Sequence, residues 1–445
     1  MADDELFGNL LEQNVPKQGG VAGRPRLREP MRDQIELRSV DLDSVIGTDH
    51  PARLFWAYVE RLDLRVLEDA IKSREGHAGH PAATPRLLLA LWLYATSEGV
   101  GSARALTRLC ESHDAYRWLC GGVSVNYHGL SDFRVSHGAL LDDLLTEHVA
   151  ALATAGLVNF ETLAQDGVRV RASAGAASFR RRATLERHLA TARAVVEELK
   201  REVDDDADAS NRRIRAAKQR AARERAERVE AALKSLGEVE AQRKRREKKN
   251  ANQTKKQKEP RASTTEPQAR VMKMADGGFR PAWNVQVVST AERQIVVAVE
   301  PGNVGSDRGL MRPMLRAVRE RLGLSPKRHL ADGGFTAAKD IQWAHDKGIE
   351  VYCPPTRSKH GRDPFLPRPD DGPGVRAWRS RMASPDGQAR YKRRAICECI
   401  HARWRHWNLK LNIRGAVKVR TLMLWHALAN NILQGDYLAR AAATA

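Results

Sequence analysis

No run of apolar residues in this 445-residue chain approaches the ~20 needed to cross a bilayer as a helix. The opening stretch, MADDELFGNLLEQ, is acidic and lacks the apolar centre of a secretory leader. Neither membrane insertion nor export is therefore expected, and a cytoplasmic protein is. Cysteine is scarce and odd in number: Cys110, Cys120, Cys353, Cys397 and Cys399. That excludes a disulfide framework and fits a reducing compartment. Cys397 and Cys399 bracket Glu398, but no His/Cys set of zinc spacing surrounds them, so they read as small packing residues. A Gly-rich phosphate loop ending in Lys-Ser/Thr is also missing, so no ATP site is expected. Negative charge is in deficit: 75 Lys and Arg face 55 Asp and Glu, a formal charge of +20. Such an excess calls for a polyanionic partner, and without a membrane signal that partner is nucleic acid.

What is present divides the chain. Residues 1–33 end in a Gly-, Pro- and Arg-rich stretch without period and read as a flexible basic arm. A helical region follows over 34–156. Thr84-Pro85 caps a mostly buried helix, Ser102 caps a second, and Ser131 starts a third that runs to Gly156. With Arg104, Arg108, Arg117 and Arg134 on its surface, this region can grip DNA or serve as a structural module. Residues 157–180 form the next segment, in which VNFETLAQDGVRVR, residues 158–171, reads as a strand with Asp166 set in it. Residues 181–260 carry two heptad stripes, Leu185 to Val203 and Ala222 to Leu236, around a polar DDDADASN turn, which predicts an antiparallel helical hairpin. Its second half is strongly basic, and QRKRREKKNANQTKKQKEP is too polar to fold by itself. That stretch is either a solvated linker or a strip that follows a phosphate backbone. From 261 to 440, strands alternate with helices. Strands are expected near 282–290, 294–300 and 328–332. A helix capped by Ser306-Asp307 runs to Leu322, another is capped by Thr336, and a long loop covers 354–390.

The tetrapeptide DGGF occurs twice, at Asp276 and at Asp332. The first copy lies between two strand-like runs and reads as a hairpin turn. The second ends a strand and precedes a helix, a junction where open sheets place functional side chains. Its glycines allow a metal or phosphate to come close. Downstream, a helix is expected from about 390 to 406. At ~100° per residue, Tyr391, Arg394, Glu398 and Arg405 share an arc of roughly 60°, with Ile396, Cys397, Ile400 and Trp404 opposite.

Tyr391, Arg394, Glu398 and Arg405 follow the spacing Tyr-x2-Arg-x3-Glu-x6-Lys, with Arg in the last place. In this the chain resembles the DDE transposases of bacterial insertion sequences. HPAATPRLLLALWLYATSEGVGSARALTRLCESHDAYRWLCGG resembles an InsH-type N-terminal transposase domain, and ASTTEPQARVMKM, ADGGFRPAWNVQ and VRTLMLWHALANNI resemble later parts of the same group, in the same order. The resemblance implies an α/β, ribonuclease H-like catalytic domain: a mixed sheet flanked by helices, joined to an all-α N-terminal domain and interrupted by the helical hairpin. By motif it implies Asp166, Asp332 and Glu398 as catalytic and metal-binding residues, and Tyr391, Arg394 and Arg405 as DNA-binding ones. The implied cofactor is two Mg²⁺ ions, for which Mn²⁺ can substitute. The implied partners are double-stranded DNA, as transposon ends and as target, and further copies of the chain in a homodimer or larger synaptic complex, with no membrane and with nucleoid association when bound. The implied activity is hydrolysis at the element ends followed by strand transfer of the 3′-OH. A nuclease that cuts without joining and a non-catalytic DNA-binding relative are the alternatives.

Overall fold

In the computed structural model of the chain, the residues described are 41–444 except 75, 78–79, 205–208, 250–258 and 357–360. The basic arm expected over 1–33, the tip of the hairpin turn and much of the basic stretch after it lie outside the described residues. From Leu42 onward the chain forms one unit. No helix among the described residues is long and apolar enough to cross a membrane.

Among the described residues eight strands appear in chain order: β1 (Thr162–Arg171), β2 (Phe179–Arg180), β3 (Ala262–Ser263), β4 (Arg270–Lys273), β5 (Phe279–Thr290), β6 (Val296–Gly302), β7 (Arg328–Ala331) and β8 (Glu350–Tyr352). The main sheet is built around β1 and β5, which pair antiparallel from Leu163↔Thr290 to Arg171↔Ala282. The other edge of β5 takes β4 at one end and β6 along the rest. The other edge of β1 takes β7 in parallel, and β8 follows, also parallel. A mixed sheet in this order, with helices flanking it, is the ribonuclease H-like architecture, here joined to a helical N-terminal region. β5 is buried along nearly its whole length, on both faces, so that even its polar Asn284 and Gln286 lie inside the protein.

The last helix, Ala416–Ala443, holds the molecule together. Its buried residues, among them Leu422, Trp425, Leu428 and Ile432, share one core with Trp92 of the helix Pro85–Ser97, Leu145 of the helix Gly138–Thr154, and Trp283 and Val285 of β5. Two asparagines on it hold the free edge of the sheet. Asn431 accepts a hydrogen bond from the Val296 N–H and donates to the Val296 carbonyl, both at 2.8 Å, in place of a neighbouring strand. Asn430 donates to the carbonyl of Gln294, which stands in the left-handed region at φ 56°.

The inserted hairpin is formed by the helices Arg182–Asp204 and Ala209–Lys249. Chain exit and return are held together at its root, where β2 pairs with β3. Leu185, Val229, Ala232 and Leu236 pack there with Ala262. The second helix runs further into the basic stretch than its polarity suggests, because its apolar stripe is already seated and propagation adds one hydrogen bond per residue.

Four local expectations are corrected. Asn126, not Ser131, starts the helix Tyr127–Ser136, its side chain accepting the Gly129 N–H. The next helix, Gly138–Thr154, begins where a Cβ on Gly138 would come within 2.6 Å of Thr421 Oγ1, a close approach to the last helix. The helix expected from Ser306-Asp307 starts only at Met311, since the Asp307 carboxylate accepts from Asn284 and Gln286 instead. The helix after the second DGGF, Ala338–Asp346, has no side-chain cap, because the Thr336 hydroxyl donates to the Pro354 carbonyl. The loop expected over 354–390 contains the helices Pro373–Ala383 and Pro385–Lys392. Its Pro, Gly and Arg content hid the buried triplet Val375, Trp378 and Met382, which has helical spacing.

Asn431→Leu leaves two buried backbone groups of Val296 without partners. Its unfolding free energy in a urea titration is expected to fall by about 3 kcal/mol, with sheet and helix content retained.

Candidate active site

Parallel pairing brings the first two acids together. Gln165 of β1 stands opposite Ala331 of β7, so the next residues, Asp166 and Asp332, stand side by side at the point where β7 ends. Asp332 keeps an extended backbone and then turns the chain, its Oδ1 accepting the Gly334 N–H at 2.7 Å. Asp276 of the first DGGF is far simpler. It sits in the tight turn between β4 and β5, where Gly277 has φ 81°, and it accepts from Gly278 N–H and pairs with Arg280 at the surface.

The third acid comes from the helix Ile396–His406, which packs on β1. Here the expected continuous helix is broken. Tyr391 lies in the last turn of the helix Pro385–Lys392, residues Arg393–Ala395 form a 3₁₀ turn, and Glu398 stands in the first turn of the next helix. Arg394, in the 3₁₀ turn, reaches both ways: one guanidinium nitrogen lies 3.2 Å from Asp166 Oδ2 and another 2.8 Å from Glu398 Oε1. Asp166 and Arg394 are nearly enclosed, whereas the Glu398 side chain is 61% exposed. Tyr391 is half-buried against an apolar cluster with Ile396 and Leu310. Arg405 lies a full helix away from Arg394. It lines a groove of about 620 Å³ with Arg169, Arg171 and Arg280 that opens beside Gly167 and His401.

Burial pushes the Asp166 carboxyl up to about 6, and the neighbouring Asp332 and Asp307 carboxylates act in the same direction. The Gly167 N–H and Arg394 oppose the rise. His401 Nδ1 is 3.7 Å from Asp166, yet burial, with Arg405 and Arg394 nearby, holds its pKa down at about 4. It is therefore a neutral neighbour at pH 7 and not an ion-pair partner.

Asp307, a helix cap by its sequence context, has a different place in the structure. Its Oδ1 accepts from Asn284 at 2.7 Å and from Gln286 at 2.9 Å, and Arg169 lies 3.8 Å from its Oδ2. The signal was in the sequence, in the polar Asn284 and Gln286 set inside an otherwise apolar strand, which is costly unless a partner waits on the same face.

Hard oxygen ligands suit Mg²⁺ or Mn²⁺. Asp166 meets that requirement best: it is desolvated, raised in pKa and has acidic neighbours, so a cation placed there lowers its free energy. Among the described residues no three His, Cys, Asp or Glu side chains are gathered tightly enough to enclose one ion. The cation that now joins Asp166 to Glu398 is Arg394.

Comparison with known families agrees with this architecture. Residues 262–432, which carry Asp332 and Glu398, match the Transposase DDE domain, and residues 40–136 match the Transposase domain (DUF772). Neither a curated protein nor a solved structure matches the chain. The fold and the two matches define a transposase. Together the matches span more than half of the 445 residues, and the chain belongs to the DDE transposases of insertion sequences. β1 with Asp166, and the hairpin after it, lie between the two matched segments.

Arg394→Met removes the charge and keeps most of the length. Asp166 then loses its cation, and unfolding free energy at pH 8 is expected to fall by about 1–2 kcal/mol. The sign with pH follows from the raised pKa. Asp166 favours the folded state most when protonated, and that contribution is lost as pH rises through about 6. The Arg394→Met deficit should therefore shrink at pH 5, where Asp166 is protonated in both proteins, as read by denaturant titrations at the two pH values.

Proposed function

We propose that the protein cuts DNA at the ends of an insertion sequence and joins the freed 3′-OH ends to target DNA, with Asp166, Asp332 and Glu398 as metal ligands. The observation that carries this reading is the register of β1 and β7, which sets Asp166 beside Asp332, with Arg394 joining Asp166 to Glu398.

When bound, two divalent ions would supply Lewis-acid activation of the attacking oxygen and neutralise charge on the leaving one. The chain's own residues do the rest. Asp166, rigid within the sheet, and Asp332 and Glu398, from a turn and from a helix, are the residues that would hold the ions. In the first reaction an O–P bond to water forms as the bond at the element end breaks, exposing a 3′-OH. In the second, that 3′-OH forms the new O–P bond while the target phosphodiester breaks, so bond number is conserved and no ATP is used. Arg394, Arg405 and Tyr391 contact DNA beside the cut, the arginines through phosphate oxygens and the tyrosine by its ring. The groove lined by Arg169, Arg171, Arg280 and Arg405 supplies positive charge along the approach. Holding two element ends at once calls for at least two copies of the chain, working on the nucleoid in the cytoplasm.

The test is cleavage of a labelled duplex carrying the inverted repeat that flanks the gene, with Mg²⁺. Asp332→Ala is expected to slow cleavage by at least about 10³-fold, and Asp276→Ala to leave it within about twofold. Equal cleavage by both variants would remove Asp332 from the site. Joined products from a labelled donor separate a transposase from a nuclease that only cuts.

A further inference from the structure

A line of buried polar side chains crosses three strands next to the candidate acids. Gln165, Gly167 and Arg169 alternate with Asp166 along β1 and so face the other side of the sheet. His329 Nε2 of β7 lies 3.1 Å from Gln165 Oε1. Gln165 Nε2 donates to Gln286 Oε1 at 2.8 Å, which leaves Gln165 Oε1 as the acceptor of the histidine proton. Gln286 Nε2 then donates to Asp307 Oδ1, as does Asn284 Nδ2. Gln165, Asn284, Gln286 and His329 are all buried. The donations from His329 through Gln165 and Gln286 run one way, and they end on Asp307, a pure acceptor that fixes the direction of the whole line.

The same carboxylate lies against the β1 backbone beside Asp166 and near the turn that follows Asp332. A Cβ on Gly167, the residue after Asp166, would lie 2.6 Å from Asp307 Oδ1 and from Gln286 Nε2, and 2.8 Å from Asn284 Oδ1. Only glycine lets the carboxylate and its two amides sit against the β1 backbone. On the other side, a Cβ on Gly334 would be 3.7 Å from Asp307 Oδ2 and 2.9 Å from Asp332 Oδ1. Asp307 thus fills the space between the β1 backbone at Gly167 and the turn that follows Asp332.

We propose that Asp307 is a positioning residue: by accepting from Asn284 and Gln286 while packed on Gly167 and Gly334, it holds Asp166 and Asp332 in the mutual placement that cation binding needs. The inference rests on the reading of Asp166 and Asp332 as metal ligands. It assigns no contact with DNA or metal to Asp307 itself. Partners one step behind metal ligands set ligand orientation, and displacing a reacting group by about 1 Å is enough to be felt in the rate.

The experiment uses the full chain on the inverted-repeat duplex. It follows cleavage rate at saturating DNA, DNA-end Kd, and Mn²⁺ binding to the protein–DNA complex by electron paramagnetic resonance. Asp307→Ala is expected to cut about 100-fold more slowly and to bind Mn²⁺ about 10-fold more weakly, with DNA-end Kd within about twofold of wild type. Asp307→Asn keeps an oxygen acceptor for both amides, and should stay within about 10-fold of wild type in rate. Wild-type rate and Mn²⁺ binding in Asp307→Ala would overturn the proposal. So would an Asp307→Asn variant as impaired as Asp307→Ala, since charge and not hydrogen-bond acceptance would then be what matters. If Asp307→Ala shows no cooperative melt, Asn284→Ala decides. It removes one donor and is expected to lose about 10-fold in both readouts, and wild-type values there overturn the proposal. Asp166→Asn runs alongside. Wild-type cleavage by that variant overturns the underlying reading of the site, whereas a dead Asp166→Asn beside an unimpaired Asp307→Ala overturns only the role of Asp307.

Discussion

The structure depends on β1 being paired on both edges. Its antiparallel ladder with β5 runs from Leu163 to Arg171, and its parallel ladder with β7 covers Thr162 to Gln165, so Asp166 stands just where the β7 edge ends. A strand so placed presents its side chains at fixed heights and on fixed faces. That is why one residue, Asp166, can meet an acid from the end of the neighbouring strand, while the residues on either side of it face a separate buried polar line. A one-residue slip of β1 would exchange the two faces and destroy both arrangements at once.

The long insertion fits this constraint. In sequence β5 begins more than a hundred residues after β1 ends, largely because of the hairpin helices, yet β2 and β3 bring the chain back to the point where it left. The catalytic sheet therefore tolerates the insertion without a change of register. The last helix contributes from the opposite direction. It shares one core with the N-terminal helices and β5, and its Asn431 closes the edge of β6. The N-terminal helices and the sheet are consequently coupled through apolar contact, and movement of one would have to break core packing in the other.

Charge is organised at two levels. Overall the chain carries +20, which suits a polyanionic substrate. Locally the sign reverses: Asp166, Asp332, Asp307 and Glu398 lie in one neighbourhood, with Arg394 and Arg169 interleaved. Under the proposed function, the basic surroundings would draw in DNA while the acidic centre keeps an energetic demand for cations, of which the raised pKa of Asp166 is the physical sign.

Much of this was legible in the sequence. The strand holding Asp166, the turn at Asp276, the hairpin stripes from Leu185 to Leu236 and the cap at Thr84 are local patterns, and each depends only on residues a few positions apart. Periodicity and capping chemistry were enough to determine them. Elsewhere local pattern lost to tertiary demand. Asp307 looked like a cap but is held by two amides from β5, about twenty residues earlier in the chain. The helix through Tyr391 and Glu398 looked continuous, but a 3₁₀ turn lets Arg394 reach a carboxylate on β1 as well as Glu398. The helix Pro373–Ala383 was masked by its own Pro, Gly and Arg content until Trp378 found the Cys353 carbonyl. By itself, then, the sequence determined the charge and most of the elements. Which acids become neighbours, and how the polar line runs behind them from His329 through Gln165 to Gln286, was decided only by strand register and sheet order, because those join positions more than a hundred residues apart and no local pattern encodes that distance.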